Sequence, residues 1–295
     1  MSFSVKMRVM IDLHTHSNAS DGDLSPEQLV REAGKRGITA LALTDHDTLG
    51  GLESARNEAE ASGIHFIPGI EISIKWAGEG SVPGLGPGGE FHLLGLGIKS
   101  PSPAFLAAIG DLSRRREERN REILDRMHEL SIDASWEDVL ALSGGHSVGR
   151  PHFASLLVEK KIVRNREQAF ARYLSAGKPL YVPKAGLVFA EAAALIRESG
   201  GIPVLAHPMS LYVAWGRLPE LVKRLQSCGL MGIEAWHPTA MAKSCRRLEE
   251  MGRALGLYIT EGSDFHGAIR PDRKIGMSNR GREISGSILD SIPGL

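Results

Sequence analysis

The sequence predicts an α/β fold, a sheet or barrel of parallel strands interrupted by one long helical insertion. Three observations carry that prediction. Apolar strand runs alternate with helical stretches up to Glu71, and the same alternation returns beyond Val188. Between them, residues 102–182 carry helical patterning with no apolar strand run. Strand–helix alternation makes parallel pairing the default, because parallel neighbours need a crossover and a helix usually supplies it. A chain of 295 residues has room for one barrel and an insert. The expected division is a discontinuous barrel over 8–100 and 185–295 around a helical insertion, or cap, over 101–184.

Taken in order, Val9, Met10 and Ile11 form the first apolar run. Ser25-Pro26-Glu27-Gln28 reads as a helix start, with serine as N-cap, proline at the first helical position and Gln28 closing a capping box. That helix runs through Leu29, Val30 and Ala33 to Gly37. Residues 38–43 are apolar on both faces and lead into Thr44-Asp45-His46-Asp47. A second helix over 52–61 ends at Gly63, and residues 65–70 lead into Glu71, with the strand extending to Trp76. Residues 77–89 are mostly Gly, Pro and Ser. They lack the Gly-Lys-Ser/Thr of a phosphate cradle and read as a loop, and residues 91–96 return as a strand.

Within the helical insertion, Arg114, Arg115, Arg116, Arg119 and Arg121 interleave with Glu117, Glu118 and Glu122. The first reading is a solvated helix face with i,i+4 pairs, the second a substrate-facing surface. A further helix is expected over 136–142. The turn Gly144-Gly145-His146-Ser147-Val148-Gly149-Arg150-Pro151-His152 then leads into another. Beyond it come a helix over 188–198, a strand over 202–206 ending in His207-Pro208, a helix over 218–226, and a strand over 231–236 reaching His237. A helix over 240–255 and a strand over 257–260 close the series, running into Ser263-Asp264-Phe265-His266-Gly267.

Composition narrows the function classes. Lys+Arg and Asp+Glu balance at 35 each, so no global field draws polyanions and any phosphate preference must be local. Cys228 and Cys245 are the only cysteines, which argues against a disulfide framework or thiolate zinc and fits a reducing cytoplasm. Residues 1–10 hold no signal-peptide core, and no apolar run approaches a membrane span.

The chemistry gathers in Asp12-Leu13-His14-Thr15-His16-Ser17-Asn18-Ala19-Ser20-Asp21-Gly22. His14 and His16 lie two apart, so on an extended chain both imidazoles point the same way, and the loop brings Asp21 to the same place. Such a donor set suits a divalent transition metal, whereas an isolated His-x-His is as readily a solvated strand end. Six of the 11 histidines (His14, His16, His46, His92, His207, His266) lie in or just after expected strands, as do Asp21, Glu71 and Asp264. In a parallel barrel the strand C-termini share one face, where such sites form. The expectation is a polynuclear metal centre.

The motifs Asp12-Leu13-His14-Thr15-His16-Ser17, Thr44-Asp45-His46-Asp47, Gly69-Ile70-Glu71, Ala206-His207-Pro208 and Ser263-Asp264-Phe265-His266-Gly267 resemble those of the PHP family, named for polymerase and histidinol phosphatase domains. The resemblance implies a distorted (β/α)7 barrel with two or three divalent ions, manganese ahead of zinc, iron or magnesium. It assigns His14, His16, Glu71 and Asp264 to one ion, with Glu71 bridging to a second held by His92 and His207. Asp21, His46 and His266 would take a third, where carboxylate oxygen suits a harder ion. Asp45 and Asp47 read as supporting groups. A hydroxide bridging two ions is the expected nucleophile, and phosphate-ester hydrolysis leads. C–N hydrolysis follows, disfavoured because no lysine ends a barrel strand as a carbamylated bridge. The Ser-Asp-Gly motif, the insert and the Gly149-Arg150-Pro151-His152 turn look like the branch of nucleoside 3′,5′-bisphosphate phosphatases and 5′-to-3′ exonucleases on short RNA. Arg150, His152, Lys178 and His237 are the candidate substrate contacts. His237 is also the candidate general acid, or else a strand-end histidine bonded to backbone; His65, His128 and His146 read as structural. Histidinol phosphate and a non-catalytic scaffold remain the alternatives. No membrane and no obligatory protein partner are expected.

Overall fold

The computed structural model describes residues 9–75, 89–143 and 148–295. Seven strands lie side by side in chain order: β1 (Met10–Asp12), β2 (Ile38–Leu43), β3 (His65–Ser73), β4 (His92–Leu96), β5 (Ile202–Leu205), β6 (Gly232–Trp236) and β7 (Tyr258–Glu261). The sheet nearly closes into a barrel. Past the ends of β1 and β7, the Asp264 N–H donates to the His14 carbonyl at 2.8 Å and the His16 N–H to the Phe265 carbonyl at 2.9 Å. The buried Asp12 carboxylate fixes this seam, accepting from the N–H groups of Ser263 (3.0 Å) and Gly276 (2.7 Å).

Side-chain alternation sorts the layers. On β2, Ala40 and Ala42 pack with Ile11, Ile67, Leu94 and Val204 in the barrel interior. Leu41 and Leu43 point the other way, against α1 (Pro26–Lys35) and α2 (Leu52–Ser62), as a period of two requires. The capping box at Ser25 forms: its side chain accepts from the Gln28 N–H at 3.2 Å, and the Gln28 side chain accepts from the Ser25 N–H at 2.9 Å.

One strand departs from the expected parallel order. β4 pairs antiparallel with both β3 and β5, with Ser73 opposite His92 and Gly69 opposite Leu96. A strand that returns beside its predecessor without a crossover runs antiparallel. His92, the first residue of β4, thereby reaches the rim that its parallel neighbours reach with their last residues. Trp76, most of the stretch expected as a loop (residues 77–88) and residues 144–147, including His146, lie outside the described residues.

After β4 come α3 (Pro103–Glu129), α4 (Trp136–Leu142), α5 (Arg150–Glu159) and α6 (Arg166–Ala169), the last continuing as a π-helical turn over Phe170–Leu174. The long α3 serves two cores. Phe105, Ile109 and Leu112 pack in the layer outside the sheet, whereas Ile123, Leu124 and Met127 join Phe153, Leu157 and Leu174 in a separate apolar cluster. The outer layer is completed by α7 (Phe189–Glu198), α8 (Leu218–Ser227) and α9 (Ala242–Ala254). Among the described residues, no helix is long and apolar enough to cross a membrane.

Candidate metal centre

Glu71, fully buried on β3, faces five imidazoles. Its Oε2 lies 3.4 Å from His14 Nε2, 3.3 Å from His16 Nε2 and 2.9 Å from His46 Nδ1. Its Oε1 lies 2.9 Å from His92 Nδ1 and 2.8 Å from His207 Nε2. Asp264 Oδ1 joins the first group, 3.6 Å from His14 Nε2 and 3.2 Å from His16 Nε2. On the far side of His16 and His46, Asp21 Oδ1 lies 3.3 Å from His266 Nε2 and 3.9 Å from His46 Nε2. All nine side chains singled out in the sequence therefore meet at one rim.

The packing is that of donors around cations. Atoms each about 2.1 Å from one ion sit about 3.0–3.4 Å from one another. His16 Nδ1, His46 Nδ1, Glu71 Oε2 and His266 Nε2 are buried and make no hydrogen bond. Buried polar atoms are almost always satisfied, so four such atoms in one cluster mark lone pairs converging on something other than a proton. Three sets of donors close enough to share an ion are His16/Asp21/His46/His266, His14/His16/Glu71 and His46/Glu71/His92. The residues present fit divalent ions.

A surrounding set of bonds aims these donors. His14 Nδ1 lies 2.9 Å from Glu234 Oε1, and the other Glu234 oxygen accepts from the His207 N–H at 2.7 Å. A carboxylate behind a ligating imidazole fixes which nitrogen faces the metal. Asp45 accepts from the Ser17 N–H at 2.8 Å and from the Ser17 and Ser20 hydroxyls. Asp47 accepts from the Ser73 N–H and hydroxyl and pairs with Arg116. The second Asp264 oxygen is held by His237 Nε2 at 3.0 Å and by the Arg273 guanidinium. The backbone is strained at two donors, with φ of 26° at His207 and 50° at Asp264. Such conformations in non-glycine residues cluster at functional sites.

Burial opposes ionisation of Glu71 and Asp264, but the histidines around both, and Arg273 beside Asp264, outweigh it and hold each carboxyl well below the usual range. His46 goes the other way. Burial, opposed by Glu71 and Asp21, pushes its imidazole down to about 4, so its ring is neutral at pH 7.

Two adjoining lobes open from the cluster and share His46, Glu90, His92 and Arg270. The first is walled by Arg116, Arg119 and Arg150 from the helical segment and by Lys184. Arg116 is paired with Asp47. Arg119 is 7% exposed and, among the described residues, bonds only the Asn120 side chain. Burial, with the Arg116 and Arg150 charges beside it, pushes Arg119 down to about 9. Among the described residues Arg119, Arg150 and Lys184 have no carboxylate partner at ion-pair distance. The second lobe adds His207, His237, Met209, Tyr212 and Thr239.

The remaining sequence candidates divide. Arg150, the first residue of α5, stands in the wall of the first lobe. His152 lies outside both lobe walls: buried, its Nδ1 accepts from the Gly149 N–H at 2.9 Å and caps α5, as a third helical residue reaching back does. Lys178 is exposed and outside both walls, while Lys184 puts its amine 3.0 Å from His92 Nε2. His237 bonds both side chains and backbone: its Nδ1 lies 2.8 Å from the Thr239 hydroxyl and accepts from the Thr239 N–H at 3.3 Å. In the arginine run, Arg114, Arg115 and Arg121 form the expected solvent-side pairs, but Arg116 and Arg119 turn inward. Their spacing of three places them on one helix face, a signal that was available in the sequence. Glu234 also had one, as a carboxylate inside the apolar run of β6. Lys184 and Arg273 had none.

Residues 12–180 match the PHP domain family. The chain belongs to that family. Among PHP relatives, it is 35% identical over 260 residues to a Salmonella typhimurium 5′-3′ exoribonuclease Rnm, covering 88% of this chain and 85% of that one. It is 33% identical over 273 residues to a Chromobacterium violaceum 3′,5′-nucleoside bisphosphate phosphatase, covering 90% of each. A solved structure assigned as a metal-dependent phosphoesterase, from Bifidobacterium adolescentis, superposes with a TM-score of 0.79 at 28% identity over 95% of this chain and 94% of that one.

Proposed function

We propose that this PHP protein is a metal-dependent phosphoesterase acting on nucleotides, removing the 3′-phosphate of nucleoside 3′,5′-bisphosphates and trimming short RNA from its 5′ end. One juxtaposition carries the reading. Carboxylate and imidazole donors centred on Glu71 open directly onto a lobe in which, among the described residues, Arg119 and Arg150 have no carboxylate at ion-pair distance. The first collects cations and the second collects anions, and a phosphate ester bound beside its ions needs both. Both named relatives act, by their names, on phosphorylated nucleotides or RNA.

The ligand sets we assign are His14, His16, Glu71 and Asp264 for one ion, Glu71, His92 and His207 for a second, and Asp21, His46 and His266 for a third. Manganese is the proposed metal, since the donors mix imidazole with carboxylate. Ions there supply a nucleophile active at neutral pH and offset charge on phosphoryl oxygens. The protein's own groups do the rest. Glu234 and Asp45 hold the donor framework. Arg150, in the wall formed by the helical segment over 101–184, grips a phosphate oxygen pair, and that segment acts as a cap. His237 Nε2 sits on Asp264 at the second lobe, where a proton can pass to a leaving oxygen. The two free cysteines suit the cytoplasm we propose for it.

The deciding experiment is turnover with Mn2+ on adenosine 3′,5′-bisphosphate, 5′-phosphorylated RNA trimers and histidinol phosphate. The nucleotide substrates are expected to lead in kcat/KM, because the ammonium of histidinol phosphate meets the cationic lobe. Preference for histidinol phosphate overturns the assignment, and no turnover of any ester favours the scaffold alternative.

A further inference from the structure

The second lobe ends in a feature the phosphoesterase chemistry leaves unused. Tyr212 is 78% exposed at its mouth, and its backbone is left-handed, with φ of 51°. An exposed aromatic on a relaxed loop needs no explanation, but this one is held in place. It directly follows the short helical turn Pro208–Leu211, which starts at His207. Leu211 is buried, and the Ser210 hydroxyl lies 2.6 Å from His207 Nδ1 and donates to the Glu90 carbonyl at 3.0 Å. The Glu90 N–H in turn donates to the Ser210 carbonyl at 3.1 Å. Gly89 lets the two segments meet: a Cβ there would come within 1.7 Å of the Ser210 carbonyl oxygen and 2.6 Å of Tyr212 Cδ2. The backbone carrying the tyrosine is therefore anchored relative to His207, a donor of the metal cluster, and the ring lies beside Gly89.

We propose that Tyr212 is a stacking platform for the nucleobase of the substrate whose phosphate sits at the Glu71 cluster. This rests on the nucleotide reading above and adds which part of the substrate fills the second lobe. An aromatic face open to solvent, on a segment tied to the metal-donor cluster, matches a flat heterocycle joined to a phosphate through a sugar. Stacking on one aromatic side chain is sequence-tolerant, since every base has a π-face. Thr239 at this mouth already engages His237 through its hydroxyl and so is not set up to read a base edge.

The test compares the Mn2+-loaded wild type, Tyr212→Ala and Tyr212→Trp on adenosine 3′,5′-bisphosphate and on the base-free 1-O-methylribose 3,5-bisphosphate. The wild type is expected to prefer the adenosine substrate. Tyr212→Ala is expected to raise KM for it by about 5- to 100-fold, with a far smaller change in kcat, and to collapse the preference. Tyr212→Trp is expected to keep it. If the alanine variant retains the wild-type preference, or the wild type shows none, stacking is overturned while the nucleotide reading stands. Turnover of neither bisphosphate removes both.

Discussion

Around Glu71, carboxylates and imidazoles crowd together with buried lone pairs that meet no proton, whereas in the adjoining lobe Arg119 and Arg150 present positive charge with no carboxylate at ion-pair distance among the described residues. Each region is electrostatically incomplete, and in opposite senses. Burying a charge without a partner costs stability, so neither arrangement is explained by folding. The rim awaits cations and the lobe awaits an anion. Their contact through His46 and His92 lets one phosphate ester and its ions complete both.

The contrast breaks most severely at Glu71. Glu71→Gln keeps the shape but removes the charge shared by the two central donor sets. Bound manganese, measured by elemental analysis after desalting, is expected to fall by at least one equivalent per chain. The kcat is expected to fall by about a thousandfold or more, the several kcal/mol that metal assistance contributes. Full metal content in this variant would show that the convergence on Glu71 has another purpose.

Arg119 gives the opposite signature. Replacing a buried, unpaired charge with an apolar side chain of similar length is often neutral or stabilising, yet a charged hydrogen bond to phosphate contributes about 1.5–3 kcal/mol. Arg119→Met is therefore expected to unfold at the same temperature as wild type or higher, while its KM for adenosine 3′,5′-bisphosphate rises about 10- to 100-fold. A variant that loses stability and keeps its KM would make Arg119 a packing residue.

The rim was legible in the sequence and the lobe largely was not, for a physical reason. Strand ends are fixed by local pattern, so His14, His16, His46, Glu71, His207 and Asp264 could be placed from apolar runs alone. Even the antiparallel turn of β4 left His92 at the right rim. The lobe depends on which face of α3 meets the barrel and on how a loop near Lys184 folds back. The arginine run shows the limit: interleaved Glu and Arg reads as a solvated face, and for Arg114 and Arg121 it is one. Asp47, 69 positions before Arg116 in the chain, selects it for the interior only once the tertiary contact exists.

Asp47 is also where the two regions are stitched together, and it gives a pH signature. Burial alone would raise its pKa, but Arg116 and Lys184, with the Ser73 N–H, hold it at about 2 against an ordinary 3.8. A carboxyl depressed on folding contributes stability that is complete above its unfolded pKa and is lost as pH falls through the folded value. That contribution is about 2 kcal/mol. Asp47→Asn is expected to flatten the fall in unfolding free energy between pH 4 and pH 2, read by urea denaturation. Parallel wild-type and variant curves would mean that α3 docks without this pair.

The smallest expected effect separates two lysines six residues apart. Lys178 follows Gly177, which adopts a φ of 76°, and its side chain is exposed. A solvated ammonium outside the lobe walls is screened by salt within about 8–10 Å and has little electrostatic hold on a bound phosphate. Lys184 stands in the wall itself, its amine against His92. Lys178→Ala is therefore expected to leave kcat/KM on adenosine 3′,5′-bisphosphate within about twofold at 0.15 M salt, while Lys184→Ala raises KM several-fold. Equal losses in the two variants would mean that the anion enters along a longer cationic track than the lobe itself, and that the boundary between the built site and the solvated surface lies farther out than Lys184.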